Sequence, residues 1–98
     1  MLDDQGKLDE AMAKYEEARG IYVKAYGPNH ADVAQTLNNM AKVLETQGKL
    51  DEALAKFREI SRIYVDLYGQ DHGYVAYAQN KVADVLRAQG KLMEQLTK

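Results

Sequence analysis

His30 and His72 are the two histidines of this chain, 42 residues apart, one beside Asn29 and the other beside Asp71. Imidazole and carboxylate groups are common zinc ligands, so a shared metal is the first chemistry to weigh. The surrounding words, YGPNHADV and YGQDHGYV, set both histidines in equivalent loops of a duplicated sequence. Equivalent loops of stacked units stand about a helix spacing apart, roughly 10 Å or more, too far for one ion. Each histidine is expected to pack or hydrogen-bond within its own loop, and no metal or other cofactor is expected. Nucleophilic chemistry has no better footing. Ser61, the only serine, falls in a helical stretch without the flanking glycines of a nucleophile elbow. The Gly-Lys of QGKL lacks the earlier glycine and the following Ser or Thr of a phosphate loop. The carboxylates alternate with lysines, as on a solvated helix face. The chain is not expected to be an enzyme.

Seven tyrosines form the other conspicuous set. Tyr22, Tyr26, Tyr64 and Tyr68 recur at helical spacing, which suits rings packed near a loop with their hydroxyls reaching water. Tyr74 and Tyr77 break the duplication, because Asp32 and Gln35 stand at their counterparts. Those two tyrosines are candidates for something specific.

The elements that must position these residues follow from the repetition. QGKLDEA occurs at 5–11 and again at 47–53, and a worn copy, QGKLMEQ, at 89–95. From Leu50, the apolar positions Ala53, Leu54, Phe57, Ile60, Tyr64, Leu67 and Tyr68 follow the three-and-four spacing of one helix face. Leu8, Ala11, Met12, Tyr15, Ala18, Tyr22, Ala25 and Tyr26 repeat it. Asp9 and Glu10, like Asp51 and Glu52, are expected in the first turn of these long helices, at the positive end of the dipole. Gly27 and Gly69 then stop them. A shorter helix is expected from about Ala31 to Gln47, with Val33, Leu37, Met40, Ala41 and Leu44 on its stripe, Gly48 at its end and an Asn29–Asp32 pair at its start. Its counterpart runs from about Gly73 to Gln89. Gly20 interrupts the first long helix at a cost of about 1 kcal/mol relative to alanine. No alternating stretch argues for a strand. A two-helix unit cannot bury its stripe alone, so units must stack into a continuous core.

Bulk composition narrows the function classes. With 98 residues, 46% hydrophobic and 29% charged, the chain suits one globular unit. Its apolar runs are far shorter than the roughly 20 residues that span a bilayer, and no leader pattern is seen, so no membrane association is expected. The formal charge of −2, with both signs interleaved, offers no footprint for nucleic acid. The absence of cysteine excludes disulfides and fits a reducing compartment, with the cytoplasm as the expected location.

Small residues at Ala41 and Ala53, the turn at Gly48, and Leu37, Leu44, Leu50, Phe57 and Ile60 between them resemble the tetratricopeptide repeat (TPR). The stretch ADVAQTLNNMAKVLETQGKLDEALAKF and the 42-residue period resemble its kinesin-light-chain-like variety. The resemblance implies an all-α fold of antiparallel helix-turn-helix repeats stacked as a short superhelical solenoid. A single array over 1–98 is expected, with a partial repeat 1–33, a full repeat 34–75 and a partial repeat 76–98. Gln79 for Leu37, Met93 for Asp51 and Gln95 for Ala53 mark drift in the last unit.

The resemblance also implies a non-catalytic interaction scaffold, in which the first helices of successive units line a groove for an extended peptide of a partner protein. Carried over by position, Asn38, Asn39 and Asn80 meet the peptide backbone, Lys42, Lys81 and Arg87 read charge, and Tyr77 forms an apolar wall; Gln35 and Asp84 complete the face. An amide can serve a peptide group of any sequence, because it both donates and accepts. Asn38 stands where a chaperone clamp of this family has lysine, so that ligand is not expected. The alternative is a homo-oligomer built through uncapped ends, with Leu8, Met12, Tyr15, Val82, Leu86, Leu92 and Leu96 left exposed on the terminal helices.

Overall fold

The computed structural model describes the backbone of residues 2–97 and the side chains of residues 6–91. Four helices follow one another, α1 (Leu2–Tyr26), α2 (Ala31–Thr46), α3 (Leu50–Tyr68) and α4 (Gly73–Thr97), with no strand among the described residues. Each packs on the one before it, in a slab of 46 × 35 × 15 Å. Among the described residues α2 and α4 both pack on α3 and not on each other, which leaves a furrow between them.

The core lies where α2 and α3 meet. Leu37, Met40, Phe57 and Ile60 are fully enclosed there, and Ala78 and Val85 extend the enclosure to α4. The expected stripe of α2 is buried throughout, together with Ala34, Thr36, Asn38 and Val43, because α1 and α3 cover this helix from two sides. On α3 the stripe turns toward Ile63, which is buried, while Leu67 and Tyr68 are exposed.

Two expectations are corrected, the first at the helix ends. QGKL ends a helix only once. At Gly48 the chain turns, with φ 79°, and Lys49 N–H donates to the Leu44 carbonyl (2.8 Å) while Gly48 N–H donates to that of Glu45 (3.0 Å). This paired pattern closes a helix around a left-handed residue. At Gly6 and Gly90 the same word is helical, so α1 starts at Leu2, Asp9 and Glu10 lie well inside it, and α4 continues past Gln89 to Thr97. The physical reason is cooperative: leaving a helix at a glycine forfeits backbone hydrogen bonds and requires a new helix to nucleate, a cost that packing of the next helix must offset.

The second correction concerns the apolar residues of α1. Met12 and Tyr15 are not left exposed; they pack against the core, and Leu8 is half-buried. Val82 also packs inward, whereas Leu86 is 44% exposed. Leu92 and Leu96 lie outside the residues whose side chains are described.

The two fates of one word predict opposite signs for one substitution. A Cβ would meet nothing within 4 Å at either Gly48 or Gly90. Gly48→Ala forces alanine into a left-handed conformation and is expected to destabilise by about 1–2 kcal/mol, whereas Gly90→Ala is expected to stabilise by up to about 1 kcal/mol. Urea denaturation followed by circular dichroism reads both; destabilisation by Gly90→Ala would refute the continuous helix.

Candidate functional site

The loops that enter α2 and α4 are built alike. Gly27 and Gly69 end the preceding helices with φ 88° and 89°, and the chain then extends to a histidine. His30, not Asn29, is the N-cap of α2: it is extended (φ −138°, ψ 148°), and its Nδ1 accepts from the Asp32 N–H at 3.1 Å. Asn29 lies one residue too early. His72 Nδ1 accepts from the Tyr74 N–H at 3.0 Å. In both loops the ring presents Nδ1 as the acceptor. Each imidazole also stacks on the tyrosine that closes the previous helix, His30 on Tyr26 at 4.4 Å and His72 on Tyr68 at 4.6 Å. Both histidines are thus engaged within their own loops. Ser61 is buried, and its Oγ accepts from Gln79 Nε2 at 3.3 Å. Among the described residues no group of three or more acidic, histidine or cysteine side chains is placed to hold a metal.

Among the described residues one side-chain hydrogen bond bridges the furrow between α2 and α4, in which the Tyr77 hydroxyl donates to Asn38 Oδ1 at 3.2 Å. This corrects the placement of Asn38 on a solvated face: it is only 8% exposed and its acceptor is used within the chain. Helical periodicity on α2 alone could not foresee the helix two elements on. The contact also identifies the facing sides. Gln35 and Lys42 lie three and four residues from Asn38 and are exposed; Asn39, beside it, is half-buried. On α4, Lys81 places its ammonium 5.8 Å from the Tyr77 ring centre, and Asp84 pairs with Arg87 at 3.5 Å. Asn80 is exposed. The side chains of Asn39, Lys42 and Asn80 make no hydrogen bond or ion pair among the described residues.

Toward the loop end the furrow deepens into a cleft of about 490 Å³, lined by Asp32 and Gln35 from α2, Tyr64 and Tyr68 from α3, and Tyr74 and Tyr77 from α4. Tyr74 stands 5.3 Å from Tyr64 and 5.4 Å from Tyr68, edge-on to the latter. Asp32 and Tyr74 hold the same position in successive repeats, as do Gln35 and Tyr77, so one repeat position supplies opposite walls with different chemistry. Tyr64, Tyr68, Tyr74 and Asp32 were not among the residues expected to form the groove. The signal available for Tyr74 was its departure from the repeat; nothing in the sequence marked Tyr64, whose first-unit counterpart Tyr22 is also tyrosine.

Paired helices stacked in register, with a furrow between alternate helices, define a helical-repeat protein. The tetratricopeptide repeat family matches the chain over residues 2–64 and again over 32–94, so the chain belongs to this family. Repeats of this family mediate protein–protein interaction. Comparison with curated proteins gives no match. No helix among the described residues is long and apolar enough to cross a membrane.

Burial raises the pKa of the Tyr64 phenol above its ordinary value of 10.0, with Tyr68, Tyr74 and Tyr77 adding to the shift. A folded-state pKa raised in this way means that the unfolded chain loses this proton first as pH rises. Stability linked to Tyr64 is therefore complete below pH 10 and declines as pH rises through the folded pKa. Phenolate absorbance is expected to show a component that ionises above the ordinary tyrosine value of 10.0, and Tyr64→Phe is expected to remove it. An unchanged titration in Tyr64→Phe would refute the assignment.

Proposed function

We propose that the chain is a non-catalytic scaffold module of the kinesin-light-chain-like variety of tetratricopeptide repeat, which holds an extended segment of a partner protein in the furrow between α2 and α4. The observation that carries this reading is the furrow itself: α3 supplies its floor, its walls are the first helices of successive repeats, and exposed or half-buried amides from both helices flank it. Asn39 and Asn80 are the backbone readers, in place of Asn38, whose carbonyl oxygen serves Tyr77. Lys42 and Lys81 attract acidic side chains in the ligand; Arg87 is partly offset by Asp84. A chain without cysteine is suited to a reducing compartment, which supports a cytoplasmic location. Self-association through terminal helices has less apolar surface to draw on, since Met12 and Tyr15 of α1 are partly covered by the core.

Panning a library of short peptides and titrating a selected ligand calorimetrically tests the proposal. Asn39→Ala with Asn80→Ala is expected to weaken binding by about tenfold or more, since two hydrogen bonds are lost. The melting temperature should be unchanged, and Arg58→Ala on exposed α3 surface should bind as wild type. Equal affinity of the double variant and wild type would sink the groove reading.

A further inference from the structure

We infer that the tyrosine cleft at the loop end of the furrow is a receptor for an arginine side chain carried by the bound peptide, an inference that rests on the groove reading and adds a chemical identity to one end of it.

Four aromatic rings and one carboxylate meet there. The rings belong to Tyr64, Tyr68, Tyr74 and Tyr77, and Asp32 and Gln35 of α2 line the same cleft. Tyrosine faces attract cations held within about 6 Å of the ring centre, and a guanidinium, being planar and weakly hydrated, stacks on such rings better than an ammonium. The chain shows this attraction itself, since the Lys81 ammonium stands 5.8 Å from the centre of Tyr77. Lys81 does not line the cleft, and neither does any other basic residue.

The carboxylate supplies a second element of recognition. Asp32 is half-exposed, and among the described residues its side chain has no lysine or arginine within ion-pair distance. Its nearest basic atom is His30 Nδ1 at 3.7 Å, and that nitrogen is accepting the Asp32 N–H rather than offering a proton. Two carboxylate oxygens thus remain for an incoming fork of N–H donors, the geometry that arginine matches. The positive ends of α2 and α4 also lie near the cleft and would favour an anion. They are countered here, because His30 and His72 occupy the Asp32 and Tyr74 N–H groups, and Asp32 itself sits in the first turn of α2.

The aromatic wall is a departure from the repeat rather than a consequence of it. Tyr74 and Tyr77 replace the Asp32 and Gln35 of the preceding unit, while the packing residues around them, Val75 and Ala78, remain buried as their counterparts Val33 and Thr36 do. Gln35 remains exposed, and Tyr74 and Tyr77 are 53% and 40% exposed, so these positions are not spent on the core.

The test uses Nα-acetyl-arginine amide and its neutral isostere Nα-acetyl-citrulline amide, titrated against the full chain while the tyrosine ring resonances are followed by NMR. The arginine probe is expected to shift the rings of Tyr64, Tyr68, Tyr74 and Tyr77 with a millimolar dissociation constant, and the citrulline probe to bind at least about fivefold more weakly. Asp32→Asn should weaken the arginine probe about fivefold or more. Tyr74→Asp with Tyr77→Gln, which installs the residues of the chain's own preceding unit, should abolish the ring shifts although it adds a negative charge; a melting curve shows that it is folded. Equal binding of the two probes, or stronger shifts from a neutral oligoproline peptide than from the arginine probe, would overturn the inference. So would retention of arginine binding in the Tyr74→Asp, Tyr77→Gln variant. Because the probes need no partner peptide, this result is separate from the fate of Asn39 and Asn80 in the peptide titration: arginine binding that persists where groove variants bind library peptides normally would locate the failure in the groove reading alone.

Discussion

Ala34, Ala41, Ala53 and Ala78 have no solvent exposure, and their methyl-sized side chains allow α2, α3 and α4 to approach closely enough to enclose Phe57, Leu37, Met40 and Ile60. Interiors are packed at crystal-like density, so a larger side chain at such a crossing would force the helices apart, at a cost of about 1–3 kcal/mol. Everything else in the molecule is arranged around that close approach. Because α3 is gripped on both sides, α2 and α4 are held apart without packing backbone to backbone, and that separation, bridged by the Tyr77–Asn38 hydrogen bond, is the furrow.

Repetition then carries contacts from unit to unit. Gln47 donates to Asp9 at 2.9 Å, and Gln89 donates to Asp51, so equivalent side-chain hydrogen bonds tie the C-cap of α2 to α1 and the middle of α4 to α3. The stacked tyrosine–histidine pairs of the two loops repeat in the same way. A histidine in this role does two things at once: the ring face packs on tyrosine, and the ring nitrogen satisfies a backbone donor that the first helical turn leaves open. Against this regular background the replacement of Asp32 and Gln35 by Tyr74 and Tyr77 gives the furrow an aromatic wall and a bridge to Asn38. Function in a repeat protein is expected at such places, since the packed positions are constrained by their neighbours and the furrow positions are not.

The bridge from Tyr77 to Asn38 shows how a furrow residue becomes structural. A buried amide must find partners, and a tyrosine on the facing helix provides one. The three asparagines therefore differ in setting: Asn38 is buried and bonded across the furrow, Asn39 is half-buried, and Asn80 is exposed. Arg19 of α1 and Glu59 of α3 make a comparable tie, at 2.8 Å, on partly exposed surface, where such a pair contributes at most about 1 kcal/mol.

The 42-residue duplication, the three-and-four spacing of Leu50, Ala53, Phe57 and Ile60, and the glycines at 27, 48 and 69 determined by themselves that the chain is an all-α repeat and where most of its core lies. Those features are local, and periodicity reads them directly. Tertiary structure decided the rest. Whether QGKL turns or stays helical depends on the helices that flank it, so identical words at Gly6 and Gly48 have different backbones. Burial of Asn38 and of the Met12–Tyr15 side of α1 depends on helices elsewhere in the chain. The meeting of Asp32, Tyr64 and Tyr74 in one cleft joins residues from three helices. Helical spacing relates side chains of one helix to each other, and it carries no information about which face a second or third helix will cover.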